Sequence, residues 1–471
     1  MGFNPAGGGI SGANDVAISN VVDNQVLVYD SITQLWRNEN NAGNATSAMV
    51  NANDIGVLTT NTGENNRTSF NSWTAANPGV PIFIPAGTYD FSGGALSPKG
   101  SMFGAGHATV LRFPEMDVSC IYAIFVDNIK LADFKILSTS TDQGVNSSSS
   151  NGITLDTSTN FQISNVEVNG KVVMGIHVRV SHRGSVIGCR VYGTAYDGIH
   201  VTGGSTDVSV VGNEMVNTGD DGIAVIAYNE DSAQSERIAI TGNTVKNVGH
   251  ARGITIEGGK DVSVTGNVIQ QTASNGILVN SIGSALTDTF TTSNVIIANN
   301  IISSANGDGI HINGKNSGVV LRGNKITSPA SAGVRLLMGR VVMDGNIIDD
   351  AGDTGIAADG GNNAPSAETV IINNVIRRSQ KGGLYCAVSK VTFSGNVIQE
   401  PSQNGAPVAG ALFYNCNDLM ITNNRIDATN STLTPQGIFV SVVTGALIAL
   451  NYAPGAGVAV GNNSSTGIVT S

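Results

Sequence analysis

The chain is short of charge, proline, cysteine and aromatic residues: 13% of its 471 residues are charged and 5% aromatic, with 12 Pro, 4 Cys and 2 Trp. The few basic residues and a formal net charge of −11 leave no electrostatic footprint for nucleic acid. The same charge disfavours a strongly anionic ligand. Cys120, Cys189, Cys386 and Cys416 are too widely spaced for a metal site or a disulfide framework, so they are expected as small buried residues. No metal or cofactor is expected. No apolar run approaches membrane-spanning length, and the opening MGFNPAGGG lacks the charged segment, apolar core and cleavage site of a secretory signal. Membrane insertion is not expected, and a protein of this kind acting outside a cell would leave by another route, such as lysis.

What is abundant is glycine, 59 residues, together with repetition. From about residue 130 two short patterns alternate, each with apolar residues at every second position, the spacing of half-buried strands. The first ends in a turn, usually with Asn, at Asn165, Cys189, Asn213, Asn243, Asn267, Asn300, Asn324, Asn346, Asn374, Asn396 and Asn424, with steps of 22 to 33 residues. Asn tolerates the left-handed backbone of a tight turn, and stacked amides can hydrogen-bond between repeats. The second, Gly-Ile-x-Val, recurs between these turns, as in DGIHV at 197, DGIAV at 221 and DGIHI at 308. Two phased patterns imply two or more stacked parallel sheets, and one coil of this length supplies the crossover that parallel strands require. The fold class expected is all-β, a right-handed parallel β-helix formed as a single-chain solenoid. A leucine-rich horseshoe lacks its Leu spacing here, and a propeller needs longer antiparallel blades.

Two segments precede the repeat. Residues 65 to 91 hold an amphipathic stretch around Phe70 and Trp73 and then a Pro-Ala-Gly-Thr-Tyr turn; a helix there would cover the apolar open end of the solenoid. With GAGHATVLRF after it, this segment resembles the entry of the pectate-lyase-like superfamily seen in many phage tailspikes. Residues 15 to 40, with Val26, Leu27, Val28, Tyr29, Leu35 and Trp36 as core, look like a short module of phage tail fibres and other virion proteins. The divisions expected are an attachment module at 1–45, a linker with capping helix and first strands at 46–125, the β-helix at 126–445, and a last rung or trimerisation segment at 446–471. The resemblance implies a virion-borne homotrimer that contacts other tail proteins through its N-terminus and meets a bacterial surface polysaccharide outside the host cell.

Equivalent outward positions of a β-helix stack about 4.8 Å apart, so rows of side chains are legible by counting rungs. Before the Gly of the second pattern stand Met174, Asp197, Asp221, Arg252, Asn275 and Asp308; two places after it stand His177, His200, Ala224, Thr255, Leu278 and His311. Asp197 and Asp221 are 24 residues apart, one rung, with Asp220 beside them. Three such carboxylates cannot all ionise cheaply, and one raised pKa prepares a general acid. The run YDGIHV, NTGDDGIAV and GHARGITIEGG resembles the polygalacturonase family of glycoside hydrolases. That resemblance implies catalytic roles for Asp197, Asp220, Asp221 and His250 in inverting hydrolysis. Tyr196 departs from the motif, Ala251 and Arg252 follow His250, and the basic Arg-Ile-Lys that grips a uronate is absent, which argues against galacturonan.

His177, His200, Tyr228, Arg252, Glu257, Asp308 and His311 are expected to touch substrate, and the loops at 226–237 and 281–293 to wall a groove. Set against hydrolysis are three other readings. Asp-Gly can serve only as turn chemistry, as its recurrence at 308 illustrates; the chain can be a non-catalytic receptor-binding or structural tail protein; or it can be a polysaccharide lyase or epimerase.

Overall fold

A computed structural model describes residues 16–17, 25–30, 35–40, 49–114, 118–139, 150–281, 289–314, 316–337, 340–360, 368–403, 409–431, 436–456 and 460–470. The chain divides into two compact units, Met1–Val50 and Asn51–Ser471. In the first, Gln25–Asp30 pairs antiparallel with Leu35–Asn40, and Val16–Ala17 pairs parallel with Trp36 and Arg37. The side chains expected to form its core, Val26 to Tyr29 with Leu35 and Trp36, lie outside the described residues.

The second unit is a parallel solenoid. One sheet contains 14 parallel strands running from Ile121–Ile124 to Val460–Asn463, each paired only with the strands one rung before and after. It is built from the Gly-Ile-x-Val pattern. The Asn-bearing pattern builds the opposing walls, where for example Thr206–Val211, Glu236–Thr241 and Lys260–Thr265 stack in register. Inward Ile and Val from all walls form one continuous core, with Ile199, Ile223, Ile254, Val210 and Ile240 fully buried. The four cysteines are buried. Helix Gly63–Ala76 precedes the first rungs; Thr62 caps its N-terminus, Phe70 is fully buried, and Asn66 donates to the carbonyls of Leu58 and Asp90. The strands Val460–Asn463 and Thr466–Thr470 add a last rung to both kinds of wall.

The Asn turns divide between two neighbouring residues the work that sequence reading assigned to one. The left-handed residue is the one before the landmark, such as Gly212 (φ 63°) or Asn299 (φ 56°). The landmark Asn turns inward and is buried. Asn243 donates from its backbone N–H and from Nδ2 to Asn267 Oδ1, each at 2.9 Å, and from Nδ2 to the Val210 carbonyl at 2.9 Å. This ladder runs from the backbone N–H of Cys189 to Asn451, one rung beyond the last landmark read from sequence. Asn165 is not part of it. It occupies the left-handed position itself (φ 50°) and donates outward to Asp133 Oδ1 at 2.7 Å, while the pairing of Glu167 with Arg190 puts Val166 level with Cys189.

The glycines of the second pattern do not serve as turn residues. A Cβ on Gly222 would lie 2.6 Å from the Gly253 carbonyl oxygen and 2.3 Å from Val245 Cγ1, and a Cβ on Gly253 would meet Gly276 O at 2.6 Å. Close approach of successive rungs, rather than backbone handedness, demands glycine at these sites.

Candidate active site

Strands Ile199–Thr202, Ile223–Ile226 and Ile254–Glu257 stack in register, so the residues two places before each, Asp197, Asp221 and Arg252, also stack. The Asp197 side chain accepts from the backbone N–H of Asp221 at 2.9 Å, and Asp221 accepts from that of Arg252 at 3.0 Å. Each acid thereby satisfies the next rung's backbone. The second oxygen of Asp197 meets His200 Nδ1 at 2.6 Å. Asp220, at the outer edge of the same turn, keeps a side chain 40% exposed. One oxygen from each of Asp197, Asp220 and Asp221 lies within 4.8 Å of the others.

Burial pushes the Asp221 carboxyl well above the usual range, with Asp197 and Asp220 adding to the rise and Arg252 opposing it. Asp220 is raised too, first by burial and then by the charge of Asp197. The Arg252 guanidinium spans the group: Nε is 3.1 Å from Asp221, and its two terminal nitrogens are each 3.9 Å from Asp220 and from Glu257. Asn280 holds Glu257 with a 3.1 Å hydrogen bond. The phenol of Tyr228 feels the same charges; burial first, then Asp197 and Glu257, push it up to about 12. His177 packs edge-on against His200 with ring centroids 5.4 Å apart, and burial holds its pKa down at about 3.

The fold therefore gathers Asp197, Asp220, Asp221, His200, Arg252, Glu257 and Tyr228 into one neighbourhood, with His177 one rung away. His250 is exposed, and among the described residues no hydrogen bond or ion pair joins it to the three acids. Ala251 and Arg252, which follow it, carry the chain back to the wall. Asp308 and His311 lie three rungs beyond Asp221, about 14 Å along the rod. Of the two loops expected to wall a groove, residues 282–288 lie outside the described residues, while Tyr228 bridges to Thr289. A carboxylate in the neighbouring rungs that sequence reading passed over is Asp156, in register with Arg179 and paired with it at 3.0 Å. The rung count that aligns Asp197 with Asp221 would have found it.

Asp308 shows what the same turn does when its carboxylate is fully partnered. It accepts from the Ala332 N–H at 2.9 Å, from His311 Nδ1 at 2.8 Å and from Arg335 Nε at 2.9 Å. Burial acts to raise its pKa, but the bonds from His311 and Arg335 outweigh it and hold the value at about 2. Asp308 and Asp221 share one row and differ in sign of shift. The depressed value means Asp308 contributes stability above its unfolded pKa near 3.8, lost as pH falls toward about 2. Asp308→Asn is expected to cost about 2 kcal/mol at neutral pH in a denaturant titration, with the difference from the parent shrinking below pH about 4.

These stacked walls define a parallel β-solenoid protein. The chain belongs to the right handed beta helix region family, which matches residues 120–291 and 288–426, and the coil is right-handed with about 14 turns. It is similar to the catalytic unit of a GH87 α-1,3-glucanase from Streptomyces thermodiastaticus strain HF3-3, at 19% identity over 91% of this chain and 70% of that one, TM-score 0.50. A GH87 α-1,3-glucanase catalytic domain in complex with tetrasaccharides aligns at 18% identity over 70% of this chain and 65% of its own length, TM-score 0.57. ORF18 of Geobacillus virus E2 aligns at 11% identity over 70% of this chain and 68% of its own, TM-score 0.49. The chain spans about two thirds of the length of the glucanase domains, and the likeness is one of fold.

Proposed function

We propose that the protein is a virion-borne depolymerase that binds a bacterial surface polysaccharide and hydrolyses its glycosidic bonds. The observation that carries this reading is the acid trio: Asp220, half-exposed with a raised pKa, stands beside two buried carboxylates and an arginine. Asp220 donates a proton to the leaving glycosidic oxygen. Asp197 takes the proton of the attacking water while Asp221 holds that water by a hydrogen bond, Arg252 sets the spacing of Asp220, Asp221 and Glu257, and His200 fixes the Asp197 carboxylate. The fibre-like N-terminus supports attachment to a virion, and the described fold is one that α-1,3-glucanases also use.

Release of reducing ends from purified bacterial surface polysaccharides, with α-1,3-glucan in the same panel, tests the reading. Inversion at the anomeric carbon, read by proton NMR of the first product, is the expected outcome of attack by a held water. Retention would replace the water by a carboxylate nucleophile, which the closeness of the trio permits. Binding without any cleavage would instead identify a non-catalytic receptor-binding protein, and unsaturated products absorbing in the ultraviolet would identify a lyase.

The trio could also receive a cation in principle, but both Asp197 oxygens are engaged and Arg252 already supplies positive charge to Asp221. Cleavage is therefore expected to continue at an unchanged rate after exhaustive chelation. Loss of activity on chelation with recovery on adding calcium would move the assignment toward metal-assisted elimination.

A further inference from the structure

The same 14-stranded sheet carries a concave feature on the N-terminal side of the acids. It is a cleft of about 530 Å³ whose lining includes Tyr122, Asn151, Thr154, Asp156, His177 and Arg179. The register fixes its position. Tyr122, Thr154, His177 and His200 form one row across four successive rungs, and Asp156 and Arg179 stand side by side in the row next to it. The cleft thus runs toward Asp197, which His200 contacts directly. Two rungs, about 10 Å, separate Thr154 from His200.

The chemistry of the lining is polar and charge-compensated. Asp156, 5% exposed, receives hydrogen bonds from Tyr122 Oη at 3.0 Å, from Arg179 at 3.0 Å and from Thr157 Oγ1 at 2.9 Å. Its negative charge is matched by Arg179, which gives it one hydrogen bond from Nη1 and keeps a half-exposed guanidinium. Asn151 Nδ2 donates to Thr154 Oγ1 at 3.0 Å and faces His177 Nδ1 at 3.4 Å. An amide nitrogen only donates, so Nδ1 accepts and the neutral imidazole carries its proton on Nε2. The cleft therefore offers an aromatic ring, hydroxyls, an amide and a neutral imidazole donor, with no uncompensated charge.

We propose that this cleft is a remote binding subsite for an uncharged, hydroxyl-rich sugar unit of the same glycan chain whose bond is cut at the acid trio, so that the chain lies along the solenoid axis. The inference rests on the reading that the trio acts on a polysaccharide. The rung repeat of about 4.8 Å is close to the advance of one sugar residue along a glycan, so successive units meet successive rungs. A long chain then spans from Tyr122 to Asp220, and a short one reaches only one of the two sites. The buried Asp156 disfavours a uronate, because an added carboxylate would have to share Arg179 with a carboxylate that is already paired to it.

The test uses full-length protein with Asp220→Asn, to prevent turnover, and calorimetric titration with neutral oligosaccharides of graded length, including α-1,3-glucan oligomers, against oligogalacturonates of matching length. The neutral oligomers are expected to bind more tightly as they lengthen. Adding Tyr122→Phe or Asp156→Asn is expected to weaken binding of the long oligomers about tenfold while leaving the disaccharide unchanged. In the active protein the same two changes are expected to raise KM for long chains with kcat unchanged, and a retained cooperative melting transition confirms that the fold persists. Binding equal in parent and cleft variants, preference for oligogalacturonate, or no binding of any neutral oligomer overturns the proposal. Cleavage with a KM indifferent to the cleft variants removes the subsite and leaves hydrolysis standing. Binding that depends on the cleft, in a protein that cleaves nothing, keeps the subsite and removes hydrolysis.

Discussion

Asp220→Asn is expected to lower the rate of glycosidic cleavage by at least about 100-fold, because it removes the proton donor while the amide keeps the shape of the side chain. Asp221→Asn is expected to be as inactive but more stable than the parent. The Asp221 carboxyl is buried and its pKa raised, so the folded state holds a proton that the unfolded chain releases above its ordinary value of 3.8. As pH rises past that value the parent loses stability until the raised folded-state pKa is passed. The asparagine variant has no such term and still presents an oxygen to the Arg252 N–H and Nε. Its melting temperature should therefore match the parent near pH 3 and exceed it increasingly toward neutrality, opposite in sign to Asp308→Asn. Measuring cleavage and melting in parallel separates a functional carboxylate from a structural one. An Asp221→Asn protein that melts lower than the parent at neutral pH, and that cleaves normally, would put Asp221 in the same structural class as Asp308.

The second large effect is expected in the amide ladder. Asn267 is fully buried; its Oδ1 accepts both the N–H and the Nδ2 of Asn243, and its Nδ2 donates to the Ile240 carbonyl at 3.0 Å and to Asn300 Oδ1 at 2.9 Å. Asn267→Gly leaves several of these groups without a partner in the core. Each unsatisfied buried group costs about 1–3 kcal/mol, so a loss of about 3 kcal/mol or more is expected in a denaturant titration. Asn165→Gly makes the same chemical change at a residue that sequence reading placed in the same series. There the cost should stay within about 0.5 kcal/mol, since Asn165 is exposed and left-handed and its register mate one rung on is Gly188. Equal effects at the two positions would mean that the ladder contributes no more than turn geometry does.

Much of the fold was legible because a solenoid writes its contacts into the sequence at a fixed step. Period-two apolar residues marked the strands, and a step of 22 to 33 residues marked one turn of the coil. That count also stacks Asp197 on Asp221. The count failed where two neighbouring residues carry different duties: Asn165 and Asn213 look alike in their turns, yet one faces solvent and the other the core. The duty of the pattern glycines was illegible for a related reason. A glycine needed for positive φ and one needed for close approach to the next rung are the same letter, and only the position of the Gly253 carbonyl above Gly222 separates them.

The candidate site divides in the same way. The acids and their vertical order were legible because they recur at one step of the repeat. The electrostatic difference between Asp221 and Asp308 was not, because it depends on burial and on which partners reach each acid: Arg252 from the next rung at Asp221, and His311 of the same rung with Arg335 of the next at Asp308. The exposure of His250 and the approach of Tyr228 to the trio depend on how loops leave and rejoin the rod, which no periodicity records. By itself, then, the sequence determined the coil, its repeat and the row in which the carboxylates stand. Only the tertiary structure decided which of them is buried, which is partnered and which remains open to substrate. The reason is that row position follows from a local count along the chain, whereas protonation and access follow from burial and from the charges that the fold packs around each acid.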